Sequence, residues 1–268
     1  SEGGVRILRF RRDDPHLDAT DPRIIFYDGV GYHVTLSHLR LAWSSDGQTF
    51  TAEPAPTLIG QGELETYGIE DCRVATIDRR YMLTYTAVSP AGVGVALSGT
   101  SDWKAFSHRG LIFPPHNKDC CLFESKTRDF HYALHRPSGV AGLGGNFIWI
   151  ARSPDLRHWG GHKCIAMARP GTWDSARVGA GASPIRTEAG WLCIYHGADD
   201  KHRYCLGLLL LDLHDPSVVL ARSRDPIMEP VADYEKTGFF GNVVFTNGHV
   251  IDGDTVMMYY GASDEVIC

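Results

Sequence analysis

The sequence predicts an all-β protein, and more narrowly a five-bladed β-propeller occupying residues 1–268 as a single domain. Two observations carry that prediction. Five hairpin-like stretches follow one another along the chain, and three of them lead into a similarly worded third strand and turn. Long helical periodicity is scarce, while short runs rich in Val, Ile, Tyr, Phe, Thr and Leu alternate with turn signals.

The hairpins come in order. RIIFYDGVGYHVTLS reads as strand, Asp-Gly turn, strand. VATIDRRYMLTYTA, CLFESKTRDFHYALH, PIRTEAGWLCIYHG and VVFTNGHVIDGDTVMMYYG follow the same plan. They begin near Pro22, Cys72, Cys120, Ser183 and Asn242, at intervals from 48 residues (Cys72 to Cys120) to 63 (Cys120 to Ser183). Propeller blades of about 40–50 residues with loop insertions recur at such intervals. The third-strand phrases are LAWSSDGQTF, VALSGTSDWKAF and IWIARSPDLRHW, each with serine, aspartate and a closing aromatic. The fourth repeat departs from them with LGLLLLDLHDPS. A β-sandwich also strings hairpins together, but it does not call for a recurring third strand. The chain runs only eight residues past Tyr260, so a full fifth blade needs a strand from the N-terminal segment or is cut short.

Composition is that of an ordinary globular protein, with 43% hydrophobic and 22% charged residues. The formal net charge of −6 argues against a general nucleic-acid binder. Seven cysteines, an odd number without a CxxC pair, read as free thiols in a reducing cytoplasm. No apolar run approaches the roughly 18 residues of a membrane span. The opening SEGGVRILRFRRDD lacks the apolar segment of a signal peptide. A cytoplasmic location is the expectation. No carboxylate or histidine spacing resembles a ligand set, so neither a metal nor another cofactor is expected.

Polar residues at the mouth of a propeller's channel form its usual site. The edges of the hairpins here carry an unusual load of charge. TYGIEDCR supplies Tyr67, Glu70, Asp71 and Arg73; HNKD supplies Lys118 and Asp119; LHRP ends with Arg136 before its proline. Arg177 precedes GAGASP, and YHGADD contains His196. A charged residue at a strand end is usually only solvated, and a lone histidine such as His131 is usually structural. The repetition of charge at one topological edge is the informative feature. Asp71, Lys118, Arg136, Arg177 and His196 would converge on one pocket, in a protein that is acidic overall. Such a cluster suits a compact anion, and phosphate fits arginine forks and lysine point charges alike.

Taken together and in this order, GIEDCR, HNKD, LHRP, GAGASP, WLCIYHG, FGNVVF and YYGASD resemble the mannoside phosphorylases of glycoside hydrolase family 130. The resemblance runs from Asp21 to Asp264. It implies a five-bladed propeller that transfers a β-mannosyl unit to inorganic phosphate with inversion, giving α-mannose 1-phosphate. It implies no cofactor beyond phosphate as co-substrate, and a mannose-containing oligosaccharide as the other partner. Carried over by position, the proton donor is Asp71, although Cys72 stands where the family usually has proline. The phosphate ligands fall on Lys118, Arg136, Arg177 and His196. Asp264 and Tyr204 look like sugar contacts. Asp21 and Arg40, in TDPR and SHLR, look like the subgroup acting on β-1,2-linked mannosides, and Tyr67, Glu70, Asp119 and Asn242 complete the expected substrate contacts. In the family the proton is thought to pass through the mannose 3-hydroxyl.

One carboxyl with several cations also makes chemical sense. An inverting glycosidase needs a second carboxylate to activate water, whereas phosphate is already an anionic nucleophile. Asp71 must be protonated to donate, with Glu70 expected to help and Arg73 to oppose. Three rivals stand beside this reading. One is a hydrolase using Asp71 with Glu124, Asp119 or Asp264 on water. Another is a furanosidase-type hydrolase with three acidic residues, and the third is a non-catalytic sugar-binding propeller. Linkage and acceptor sugar stay open, as does assembly into a homo-oligomer.

Overall fold

Successive side chains of a β-strand point to opposite faces, so an apolar strand must be covered on both sides. Strand Gly92–Thr100 shows the result: Val95 and Leu97 enter one buried cluster, and Ala96 another. In His131–Pro137, Tyr132 and Leu134 face one core while Ala133 faces the next. In Gly190–Ala198, Trp191, Cys193 and Tyr195 face one core and Ile194 the other. The apolar side chains therefore do not gather in one centre. They form layers between successive sheets, the arrangement that two-faced strands require.

The computed structural model describes residues 8–20, 24–33, 36–139 and 145–268. Its described part is nearly all β, with one α-helix of four residues, Asp233–Lys236, and one 3-10 turn, Glu63–Glu65. No described helix is long and apolar enough to cross a membrane. The second hairpin grows into an antiparallel sheet of Gly68–Ile77, Arg80–Ser89, Gly92–Thr100 and Phe106–Phe113. The third gives Asn117–Leu122, His131–Pro137, Ile148–Ser153 and Gly160–Ala166. In the fourth sheet, Arg177–Ala180 and Ile185–Thr187 both pair with Gly190–Ala198, followed by Tyr204–Leu211 and Val219–Arg222. GAGASP lies at the interruption between its first two strands. All seven cysteines are free, and Cys120, Cys121, Cys193 and Cys205 pack in the buried clusters as small apolar residues.

The recurring third-strand phrase is a turn with a fixed hydrogen-bond pattern. Asp46 accepts the N–H groups of Gln48 and Thr49; Asp102 accepts those of Lys104 and Ala105; Asp155 accepts those of Arg157 and His158. The hydroxyl two residues earlier accepts the aspartate's own N–H in each case. The fourth repeat, which looked different in sequence, has the same core: Asp212 accepts the N–H groups of His214 and Asp215. Three sheets thus leave their third strand by a related local device, and the separate pair of Ala42–Trp43 with Thr51–Ala52 is joined by the same one. The side-chain oxygen replaces missing backbone partners, which is why aspartate survives where the surrounding letters change.

The two ends of the chain depart from the expected plan. Leu17–Asp18 pairs with Ile24–Tyr27 in its own sheet, and Ala42–Trp43 with Thr51–Ala52 in a separate pair. Among the described residues, no N-terminal strand pairs with the last hairpin. That hairpin, Val244–Asp252 and Thr255–Ala262, gains its third strand from Val266–Ile267.

The turn aspartates give a pH-dependent contribution to stability. Accepted N–H bonds lower the carboxyls of Asp102 and Asp155, and take Asp46 to about 2. Their folded values lie below the unfolded one, near 3.9. Their contribution is therefore complete above that value and is lost as pH falls through the folded values. Asp102→Ala should lower the melting temperature at pH 7, with the deficit shrinking below pH 4. Equal deficits at pH 7 and pH 3 would show that the ionised turn contributes nothing.

Candidate active site

The first strands of the second and third sheets carry the same irregularity. The pairing of Gly68–Ile77 shifts register between Glu70 and Arg73, and that of Asn117–Leu122 between Lys118 and Cys121. An aspartate sits at each shift with a left-handed backbone, φ 55° at Asp71 and 51° at Asp119. Aspartate enters that region more readily than most residues. A bulge re-aims side chains that a regular strand would send to opposite faces. Glu70 and Asp71, and likewise Lys118 and Asp119, accordingly line one cavity of about 560 Å³.

Under the cavity lies a buried knot of charge. The Asp119 carboxylate is 1% exposed. It sits 3.0 Å from Arg136 Nε, 3.1 Å from His196 Nε2 and 3.4 Å from Arg73 Nη2. Burial alone would raise its pKa, but Arg136, His196 and Arg73 outweigh burial and hold it well below the usual carboxylate range. Arg73 is equally buried. Its Nη1 donates to the Asp71 carbonyl at 2.6 Å, Nη2 to the Ala180 carbonyl at 3.2 Å, and Nε to the Gly181 carbonyl at 3.3 Å. Its guanidinium also lies 5.4 Å from the centre of the Phe245 ring. One side chain thereby touches four successive sheets. The small residues of GAGASP follow from this crowding: a β-carbon at Gly179 would collide with the Asp119 carboxylate and the His196 ring.

Above the knot, Lys118 Nζ lies 3.4 Å from Asp71 Oδ2 and 3.9 Å from Glu70 Oε1. Burial works against the ammonium, yet Asp71, Asp119 and Glu70 keep its pKa raised. Burial, and then the charge of Asp71, push the Glu70 carboxyl up, with Lys118 pulling the other way. Burial pushes the His196 imidazole down against the pull of Asp119, which favours the neutral ring. Arg177 donates to the Tyr204 hydroxyl at 3.0 Å and stacks over that ring at 5.8 Å. Tyr204, Tyr67 and Asp264 line the cavity with His33, Phe239, Phe240 and Phe245. Among the described residues, no group of three or more His, Cys, Asp or Glu side chains could hold a metal ion.

Most of the expected site residues meet here. Asp71, Glu70, Lys118, Arg136, His196, Tyr67, Tyr204 and Asp264 share the cavity, and Arg177 reaches it through Tyr204. Asp119 lines the cavity from below, its carboxylate in contact with the Arg136 and Arg73 guanidiniums and the His196 ring. Arg40 lines another cavity of about 590 Å³ with Glu124, Asn247 and His249, which Asp71 and Asp264 also line. Asn242 is exposed with φ 61°, and its carbonyl accepts the Tyr204 N–H. Its position is explained by the turn it makes. Asp21 lies outside the described residues. Cys72, in the place of the expected proline, packs beside Leu39 and Leu58. The residue that sequence reasoning undervalued is Arg73, seen there only as a neighbour of Asp71. Its two-residue offset from Asp71 was visible; its carbonyl partners more than a hundred residues away were not.

A family model for glycoside hydrolase 130, described as β-1,4-mannooligosaccharide phosphorylase, matches residues 14–268. Over 264 residues the chain is 49% identical to a β-1,2-mannobiose phosphorylase of Listeria innocua, covering 97% of this chain and 74% of that one. It is 40% identical over 239 residues to a 1,2-β-oligomannan phosphorylase of a Thermoanaerobacter species, covering 88% and 78%. The solved structure of the Listeria innocua β-1,2-mannobiose phosphorylase in complex with β-1,2-mannobiose superimposes with a TM-score of 0.91 at 48% identity. That match covers 96% of this chain and 74% of that one.

The buried knot makes a stability prediction. Removing one member of a buried ion cluster leaves the others uncompensated, at a cost of about 3–5 kcal/mol. Asp119→Ala should lose that much in urea unfolding. A loss under about 1 kcal/mol, the range of an exposed pair, would mean that Arg73 and Arg136 find other partners.

Proposed function

The chain belongs to glycoside hydrolase family 130, and from that premise we propose that it splits β-mannosides with inorganic phosphate. The substrates are β-1,2-linked mannobiose or short mannooligosaccharides, and the product is α-mannose 1-phosphate. The β-1,2 linkage rests on the two relatives of 49% and 40% identity. The sheets are read as the blades of a single five-bladed propeller domain. That reading is supported by the related turns at Asp46, Asp102, Asp155 and Asp212 and by the Arg73 side chain reaching from Gly68–Ile77 to Asp119, Ala180 and Gly181 in the next two sheets.

The observation that carries the proposal is the content of the cavity. Asp71 shares it with Lys118, Arg136 and His196, and the carboxylates of Asp119 and Glu124, which a hydrolase might use on water, already have partners. Asp119 is taken up by its cations, and Glu124 accepts the Thr76 N–H at 2.7 Å beside the second cavity. In the proposed reaction, Arg136, Arg177, His196 and Lys118 hold phosphate below the sugar. A phosphate oxygen forms the new bond to the anomeric carbon as the bond to the departing sugar's oxygen breaks. The proton of Asp71 passes to that oxygen, through the mannose 3-hydroxyl. Inversion at the anomeric carbon turns the β-linkage into the α-phosphate. The cations offset the repulsion between phosphate and the cavity's carboxylates, and hold the nucleophile in line. Tyr67, Tyr204 and Asp264 are the proposed sugar contacts.

Asp264, which lines the same cavity as Glu70 and Asp119, is the carboxylate on which a hydrolytic reading is tested. Incubation with β-1,2-mannobiose, with and without phosphate, separates the two. Mannose 1-phosphate formed only with phosphate supports the proposal, and free mannose released at the same rate without it overturns the proposal.

Two substitutions test the residue roles. Asp71→Asn should abolish turnover in both directions, and near-parental phosphorolysis would remove Asp71 as the donor. Arg136→Ala should raise the phosphate KM at least tenfold, the scale of one charge-assisted hydrogen bond of about 1.5–3 kcal/mol. The mannoside KM should move far less. Equal rises in both would deny it a phosphate-binding role.

A further inference from the structure

The floor and the rim of the cavity are built from different chemistry. At the floor, Asp119 and His196 are each 1% exposed. At the rim stand rings that reach solvent: Phe239 is 43% exposed, and His33 is exposed as well. Both line the cavity. Rings left in water at the mouth of a polar pocket mark a surface that something else covers.

His33 comes from the N-terminal sheet. It ends the strand Val30–His33 and pairs with Ile24, the first residue of Ile24–Tyr27. Paired residues share a face, and these two both line the cavity. The same face continues outward to Phe26 opposite Gly31, where a β-carbon would press on the Ile24 and Phe26 side chains at 3.1 Å. Phe26 stays exposed. The other face of the hairpin is packed: the Phe10 ring lies 4.9 Å from that of Tyr27 and 5.2 Å from that of Tyr32. The hairpin thus turns its uncovered face toward the rim.

Two contacts tie it there. Ser37 bridges in parallel to Gly68, and its carbonyl accepts the Ile69 N–H at 3.1 Å. Gly68 has φ 108°, and a β-carbon on it would collide with Ser37. Tyr67, the residue before it, places its ring centre 4.6 Å from that of His33, with the planes 36° apart. His33 is therefore seated against a ring that belongs to the rim itself.

We propose that His33, seated on Tyr67 and beside Ile24, forms a further mannosyl subsite, which receives the third sugar of a β-1,2-linked chain. This rests on the cavity being a β-mannoside site. In that reading the cleaved unit lies over the floor with Asp71, the departing unit lies toward the rim, and any further unit continues outward. A pyranose carries C–H groups on its faces and hydroxyls around its edge. The C–H face suits an aromatic ring and an isoleucine, while the hydroxyls stay in the water of the rim and lose no partner.

A contact this far from the reacting bond holds substrate and transition state alike. It therefore acts on KM and leaves kcat near the parental value. The test compares β-1,2-mannotriose with β-1,2-mannobiose at saturating phosphate, in the parent and in His33→Ala. The ratio of their kcat/KM values, triose over biose, should fall at least threefold, the scale of one lost ring contact. The fall should come through the KM of the triose. His33→Phe keeps a ring and loses the ring nitrogens, and it should restore most of the ratio.

An unchanged ratio in His33→Ala overturns the proposal, including the case where both substrates weaken equally. A His33→Phe ratio as low as that of His33→Ala also overturns it, because the contact would then be polar and not a platform. The ratio does not depend on the fraction of enzyme that is folded, so a less stable variant still answers the question. Failure of the phosphorolytic reading looks different: mannose would be released at the same rate without phosphate. The triose-to-biose ratio is then read on that release, so the two readings fail separately.

Discussion

The contact between Arg73 and Asp119 is the constraint to which the rest of the site adjusts. Both side chains are almost wholly buried, and an isolated charge there would cost far more than the protein's marginal stability could bear. The pair survives because every neighbour contributes. Arg136 and His196 complete the surroundings of the carboxylate, and the carbonyls of Asp71, Ala180 and Gly181 complete those of the guanidinium. Such a knot can form only if the first strands of successive sheets approach one another closely. That explains glycine at position 179, where a side chain would enter the knot. It also ties the Asp71 backbone to the floor of the cavity through Arg73.

The same knot sorts the charges by role. Asp119 is ionised and consumed below, so the cations around it face the cavity with part of their charge uncompensated. Glu70 and Asp71 stand opposite, restrained by Lys118. The cavity therefore has a cationic floor and an acidic wall, the polarity needed to bring an anionic nucleophile beside a proton donor without direct repulsion. A hydrolase would need a carboxylate free to activate water where the cations now lie. The proposed phosphorolysis follows from this division of charge more than from any one residue.

Part of this was legible in the letters. The period-2 alternation of Val95, Ala96 and Leu97 reports a strand covered on both faces, and the spaced hairpins report repeated sheets. The motifs around Asp71, Lys118, Arg136 and His196 report one charged edge. The turn at Asp212 was missed because its hydrogen bonds depend on one aspartate and the backbone, while its other letters differ from those of the related turns. That the Asp119 carboxylate is buried was not legible, because a strand-edge carboxylate usually meets solvent. Its burial depends on Arg136 in the neighbouring strand, His196 in another sheet and Arg73 in a third.

For the two residues at the centre of the site, the division is clear. By itself the sequence determined the all-β class, the alternating cores and the identity of the aspartate that the family resemblance assigns as donor, because strand periodicity and short motifs are local and survive in one dimension. Only the tertiary structure decided that Asp71 shares an ammonium with Glu70 and that Asp119 is a buried anchor. Both outcomes depend on a bulge that reverses the ordinary facing of adjacent side chains, and on partners brought from separate sheets. Neither the bulge nor those distances leaves a mark in the local pattern.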